Sequence, residues 1–179
     1  MSLLVLSTSL HPTSRSRILC RACLAALETR GAEVAFADLR DFPLPMCDGD
    51  SAYGDPNVRR IADLIRRASA ILVGVPVYNY DVNAALKNAL ELTGSAWTGK
   101  IVGFLCAAGG GTSYMSVMSF ANSLMLDFRC LIIPRFVYAE GDDFDGDTIR
   151  TADIQHRVDE LAGTALGLAA ALRDIVPRG

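Results

Sequence analysis

Between Ser7 and Arg17 the chain reads STSLHPTSRSR, a short segment that gathers six hydroxyl side chains, one imidazole and two guanidinium groups. Leu3 to Leu6 before it form an apolar run too short to span a membrane and suited to a buried strand. An amphipathic stretch follows, so the hydroxyls fall in a strand-to-helix turn. Hydroxyls directed inward, beside the unpaired N–H groups and positive dipole end of the coming helix, would hold a monophosphate. The plainer alternative is an ordinary βα turn with Ser14 or Ser16 as helix N-cap, a job that needs one hydroxyl rather than six.

What the segment lacks narrows its ligand. It has no glycine and no lysine, so neither the GxxxxGK[ST] nucleotide loop nor the GxGxxG dinucleotide turn is present. Ser9, five residues, then Arg15 and Ser16 reproduce the spacing of a Cys-x5-Arg-Ser phosphatase loop with serine in place of the thiolate. A serine without a partnering base is a poor nucleophile, so the loop is expected to hold phosphate without cleaving it. A receiver domain would need acids after the first strand and an Asp ending the third. Those places read Ser7-Thr8-Ser9 and Pro76-Val77-Tyr78.

Two further segments end apolar runs: Pro76-Val77-Tyr78-Asn79-Tyr80-Asp81, and the triplet Gly109, Gly110, Gly111. Tyr78 reads as a ligand contact or as a core aromatic at a strand end, and the triplet as a close backbone approach to a ligand or as a plain turn. Other chemistry is sparse. Cys20 and Cys23 form a CxxC, but they share a helical face with Leu24 and Leu27, which predicts core packing rather than redox work. His11 and His156 are the only histidines and no second CxxC exists, so no zinc site or structural metal is expected. Asp142, Asp143, Asp145 and Asp147 around Gly146 lack EF-hand spacing and read as a solvated turn.

These segments need a scaffold. The chain has 179 residues, 51% hydrophobic and 21% charged, enough for one well-filled α/β domain spanning 1–179. A formal charge of −3 with dispersed Arg leaves no basic footprint for nucleic acid, and a small-molecule partner is expected. No leader-like start and no run long enough to span a bilayer is seen, and five cysteines, an odd number, suit a reducing compartment; a cytoplasmic location away from membranes is expected. Strand-like runs at 3–6, 33–37, 70–75, 101–106 and 131–138 alternate with helix-like stretches at 17–30, 57–68, 82–93, 113–128 and 151–174. Gly31 and Gly94 are placed to end helices, and Asp81 and Thr112 or Ser113 to start them. Segments 40–56 and 140–147 read as loops. Five βα units with continuous apolar strands predict a doubly wound five-stranded parallel sheet, a three-layer α/β/α sandwich with its crevice beyond the strand C-termini.

In this order STSLHPTSRS, DLRDFPLP, PVYNYD with ALKNALEL, and AAGGGTS resemble the NADPH-dependent FMN reductases, a flavodoxin-like family, over essentially the whole chain. The PxYN segment followed by LKN is the most specific element of the resemblance. It implies that Ser9, His11, Ser14, Arg15 and Ser16 bind the FMN phosphate. It likewise implies that Pro76, Val77, Tyr78 and Asn79 lie along the isoalloxazine and ribityl chain, and that Gly109, Gly110 and Gly111 form the glycine-rich loop. Departures are Thr8 where the family has Gly before Ser9, and PVYNYDVNA where it commonly has PEYNGSIPG, which puts Tyr80 at the mouth above the flavin or against a partner subunit. Hydride chemistry on a flavin needs backbone donors, a flat nicotinamide site and a phosphate anchor, but no protein nucleophile or metal, so no catalytic side chain is expected.

The leading expectation is an FMN-dependent enzyme that oxidises NADPH or NADH and reduces free flavin, a quinone, an azo compound or a metal oxyanion. The alternatives are a flavodoxin-type electron carrier, for which the formal charge of −3 offers little acidic docking surface, and a cofactor-less interaction module. Tyr114, Val117, Met118, Ala121, Leu124, Met125 and Phe128 form an apolar helical stripe with Met115 and Phe120 beyond it. Leu90 and Leu92 could add to that surplus, and a homodimer or homotetramer is expected.

Overall fold

The apolar runs assemble into one central sheet with helices on both faces. The structure is a computed structural model that describes residues 2–172. In chain order it contains β1 (Ser2–Ser7), α1 (Arg15–Thr29), β2 (Glu33–Asp38), α2 (Pro56–Arg67), β3 (Ala68–Tyr78), β4 (Asp81–Val82) and α3 (Ala84–Thr93). There follow β5 (Ile101–Ala107), α4 (Met118–Phe128), β6 (Leu131–Ile132), β7 (Val137–Ala139), β8 (Phe144–Asp145), β9 (Thr148–Ile149) and α5 (Ala152–Ala171). The parallel order is β2-β1-β3-β5, with β6 and then β7 pairing the outer side of β5. Counting β6 and β7 as one position, this is the flavodoxin-like 2-1-3-4-5 order, with its crevice at the C-terminal ends of β1 and β3.

Alternate residues of each strand enter two separate cores. Leu4 and Leu6 pack with Ile61 and Ile65 of α2, Leu86 of α3 and Leu124 of α4. Leu3 and Val5 pack with Leu19 and Leu27 of α1 and Val158 and Leu161 of α5. Both faces of β1 are therefore dry, which is why its sequence shows no polar alternation. The close fit of α1 on β3 depends on Gly74: a Cβ there would lie 2.1 Å from Cys20 Sγ and 3.2 Å from the Ser16 carbonyl oxygen. Cys20 and Cys23 are fully buried, and burial pushes both thiols up, Cys23 to about 12, so the CxxC belongs to the core and is no nucleophile.

Several local expectations are corrected. The strand expected over 131–138 is broken at 133–136, where Pro134 has no N–H to give and Arg135 adopts φ 59°. Asp81 does not start α3. It belongs to β4, which pairs antiparallel with β3 (Tyr78↔Asp81, Val77↔Val82), and Asn83 holds the N-cap position. The helix expected from Ser113 opens as a 3-10 segment, Gly111–Val117, and becomes α-helical only at Met118. Phe120, Leu90 and Leu92 are buried and contribute no surplus apolar surface. Gly31 and Gly94 do follow α1 and α3. The end of the stretch expected over 151–174 lies outside the described residues, and α5 runs Ala152–Ala171.

Candidate functional site

A cavity of about 490 Å³ opens at the C-terminal ends of β1, β3 and β5. Ser9, His11, Thr13, Ser14, Arg15, Ser16 and Ile18 form one wall, Pro76, Val77, Tyr78, Ala107, Ala108 and Gly109 the next, and Phe144, Gly146 and Asp147 close it. The volume is in the range of small-molecule sites.

The hydroxyl-rich wall ends at the start of α1. Ser14 occupies the N-cap position in extended conformation, yet its side chain makes no capping bond; its Oγ pairs with Ser16 Oγ at 2.9 Å. The capping reading of this segment is thus met in position but not in chemistry. No acid stands in the first turn, so nothing in that turn neutralises the positive helix end beside the cavity. Ser9 and Ser16 are almost completely buried, and Ser9 Oγ accepts from the His11 N–H at 3.3 Å. His11 Nδ1 in turn accepts from the Thr13 N–H at 3.2 Å. Thr8, which stands where the resemblance would put glycine, is fully buried and turned into the scaffold: its hydroxyl lies 2.6 Å from the Gly74 carbonyl and 2.9 Å from Asn83 Oδ1, while Asn83 Nδ2 donates to the Thr8 carbonyl at 2.8 Å.

Behind the wall lies a residue whose role the sequence did not disclose. Arg17, 5% exposed, donates from Nη1 to the His11 and Pro12 carbonyls (3.0 and 3.1 Å) and from Nη2 to the Ser9 carbonyl (2.8 Å). Its Nε meets Asp38 Oδ2 at 2.5 Å, and Asp38, at the end of β2, also accepts from Arg40. Burial alone would raise the Asp38 carboxyl; the hydrogen bonds from Arg17 and Arg40 outweigh it and hold the group below its ordinary value. Three loop carbonyls are drawn inward by one guanidinium. The signal available beforehand was an acid closing a buried strand beside β1, which needs a cationic partner.

The glycine loop is fixed from outside the cavity. Tyr138 of β7 donates to the Gly110 carbonyl at 2.5 Å, and its oxygen lies 2.7 Å from Ser113 Oγ. Of the triplet, Gly109 lines the cavity, Gly110 is held by Tyr138, and Gly111 lets Glu140 approach, since a Cβ there would lie 2.7 Å from Glu140 Oε1. Asn79 sits in the turn between β3 and β4 with φ 49° and does not line the cavity. Nine of the expected residues, Ser9, His11, Ser14, Arg15, Ser16, Pro76, Val77, Tyr78 and Gly109, are brought together; Asn79, Gly110 and Gly111 lie on the adjoining loops.

The acidic segment is a solvated turn, with Asp142, Asp145 and Asp147 exposed, but an ordered one that borders the cavity. Glu140 and Asp143 make a reciprocal capping box around Gly141–Asp143, and β8 and β9 form a hairpin whose two-residue turn is permitted by Gly146 at φ 55°. The hairpin supplies the wall that closes the cavity. Arg15 reaches toward it, with its guanidinium carbon 6.0 Å from the centre of the Phe144 ring.

A family model for NADPH-dependent FMN reductases matches residues 1–144. The chain is 26% identical over 134 residues to an NAD(P)H-dependent FAD/FMN reductase of Geobacillus thermodenitrificans, covering 73% of this chain and 72% of that protein. It is 30% identical over 166 residues to a probable NADPH:quinone oxidoreductase of Oryza sativa subsp. japonica, covering 86% and 84%. Among solved structures, a flavoenzyme NAD(P)H:(acceptor) oxidoreductase from Paracoccus denitrificans superposes with a TM-score of 0.77 at 18% identity, over 95% of this chain and 97% of that one.

Proposed function

The chain belongs to the NADPH-dependent FMN reductase family, and from that premise we propose that it uses NAD(P)H to reduce a quinone-type acceptor through FMN held in the cavity described above. The observation that carries this reading is the union, in one cavity, of an uncapped α1 N-terminus ringed by Ser9, Ser14, Ser16 and Arg15 with a largely apolar floor of Pro76, Val77, Ala107 and Ala108. The first fits a phosphate monoester and the second a flat ring. These residues fit FMN.

FMN, once bound, supplies the redox step: a hydride from NADPH passes by way of its ring to the quinone, which with one solvent proton leaves as hydroquinone while NADP+ departs. The protein's work is positioning. Ser9, Ser14, Ser16, His11 and Arg15 anchor the phosphate, Arg17 holds their loop from behind, and Pro76, Val77 and Tyr78 support the ring and ribityl chain, with Asn79 shaping the turn that follows them. Gly109 brings its backbone alongside, with Gly110 and Gly111 fixing the loop that carries it. No side chain of the cavity is assigned a chemical role, and the chain acts as one flavin-binding domain.

Anaerobic mixing of the FMN-loaded protein with NADPH tests the reading. Rapid bleaching of the flavin, followed by recovery of its colour on adding a quinone, is the expected result. Absence of bleaching would leave the electron-carrier alternative. A cytoplasmic setting accords with five free thiols. Among the described residues no helix is long and apolar enough to cross a membrane. Met115, Met118, Met125 and Leu126 are exposed along the 3-10 segment and α4 and support a homodimer built on that face.

A further inference from the structure

The turn between β3 and β4 contains a residue that does not suit its conformation. Asn79 and Tyr80 are its two central residues, with φ 49° and 63°, between the pairs Tyr78↔Asp81 and Val77↔Val82. Positive φ at both places defines the I′ hairpin turn, for which Asn followed by Gly is the favoured sequence. Asn79 suits the first place. Tyr80 at the second puts a bulky side chain in the left-handed region, where such residues are outliers and where strain is found at functional sites. Nothing in the hairpin calls for it, since glycine would make the same turn without strain.

What holds the ring there is a contact across the rim of the cavity. Tyr80 Oη and Thr112 Oγ1 are 2.9 Å apart, and Thr112 follows the glycine triplet at the start of the 3-10 segment. The strand β3 that precedes the turn supplies the lining residues Pro76, Val77 and Tyr78; the segment that precedes Thr112 supplies Ala107, Ala108 and Gly109. The bridge therefore joins the two loops that bound this side of the opening. A second tie runs beside it, from Ser119 Oγ to Asp81 Oδ1 at 3.0 Å. Tyr80 remains 66% exposed and the nearby Tyr78 54%, so two aromatic residues stand at the rim in contact with solvent.

We propose that Tyr80 is a specificity-determining residue, strapped through its hydroxyl to Thr112 so that the opening beside Tyr78 admits narrow, flat acceptors and turns wide ones away. This rests on the flavin-oxidoreductase reading of the cavity. Rigid spacing of the two loops sets the width of the opening, and the strain of the turn is the cost of placing an aromatic ring there.

Tyr80→Gly makes the favoured Asn-Gly turn, so it tests the strap without endangering the fold. In the FMN-free protein its melting temperature should rise by about 2–4 °C, as release of turn strain in a domain of this size predicts. A lower melting temperature would overturn the assignment of strain. For selection, bound FMN is photoreduced with EDTA and light, without any nicotinamide, and its reoxidation by 1,4-benzoquinone is compared with that by a three-ring anthraquinone sulfonate. The rate ratio of wide to narrow acceptor should rise about tenfold in Tyr80→Gly and by a smaller factor in Tyr80→Phe and Thr112→Val, which keep the ring but lose the bond. An unchanged ratio in Tyr80→Gly would overturn the proposal, as would a shift in oligomeric state that accounts for the change. Failure of NADPH to bleach the parent protein would instead count against the proposed function, and the photoreduction result would still decide the role of Tyr80.

Discussion

Arg15 and Arg17 are two residues apart and serve opposite sides of one loop. Arg15 is exposed at the cavity, and Arg15→Ala is expected to weaken FMN binding by about 1.5–3 kcal/mol, roughly 10- to 150-fold in Kd, through loss of a charge-assisted bond to the phosphate. Equal affinity in mutant and parent, measured by flavin fluorescence titration, would remove it from the site. His11 is expected to act through the loop alone, so His11→Gln should raise the FMN Kd while leaving flavin reduction at saturating FMN nearly unchanged; a large fall in that rate with affinity intact would give His11 a chemical role. Arg17 acts through its buried partner. Asp38, with its carboxyl held below the ordinary range of about 4, contributes stability that is full above the unfolded value and is lost as pH falls through the depressed folded value. Asp38→Asn leaves the Arg17 charge buried without a counter-ion, at a cost of about 3–5 kcal/mol. Urea unfolding followed from neutrality into the acid range should show the parent losing this contribution where the variant has none to lose, and parallel curves would clear Asp38 of the effect.

The joint between α1 and β3 gives a prediction at the level of elements. Gly74→Ala drives a methyl group into Cys20 Sγ and crowds the Ser16 carbonyl, and overpacking of this kind costs about 1–3 kcal/mol. Adding Cys20→Ala removes the struck atom, so the double variant should be more stable than Gly74→Ala alone; additive losses would show that the contact does not govern the packing. This contact was not legible in the sequence, because it joins residues far apart in the chain. The strands were legible: β1, β3 and β5 are dry on both faces, and such strands announce themselves as unbroken apolar runs. The start of α3 was not, since Asp81 has the chemistry of an N-cap but is taken up by a hairpin set by the φ values of Asn79 and Tyr80. Pro134 was the visible warning that the last strand would break.

On the scale of the molecule, the cavity is assembled from four stretches of chain, of which three end strands and were found by their motifs. The fourth, the β8–β9 hairpin, reads only as a solvated turn, because an exposed, aspartate-rich turn gives no sign in the sequence of what it docks against. Its role comes from docking beside α1 and Arg15, a long-range fact. The apolar face formed by Met115, Met118, Met125 and Leu126 makes a prediction for the assembly: light scattering at micromolar concentration should report a dimer, and Met118→Lys with Leu126→Lys should give a folded monomer. A parent that scatters as a monomer would leave that face without a partner. The Arg17 guanidinium has a consequence for how flavin comes and goes. With the Ser9, His11 and Pro12 carbonyls already bonded to an internal cation, the backbone of the loop is ordered during folding, and that part of the ordering cost is not left to a binding event. On the function proposed above, FMN would meet a loop backbone already in place, and release and recapture of the flavin would not require that backbone to re-form.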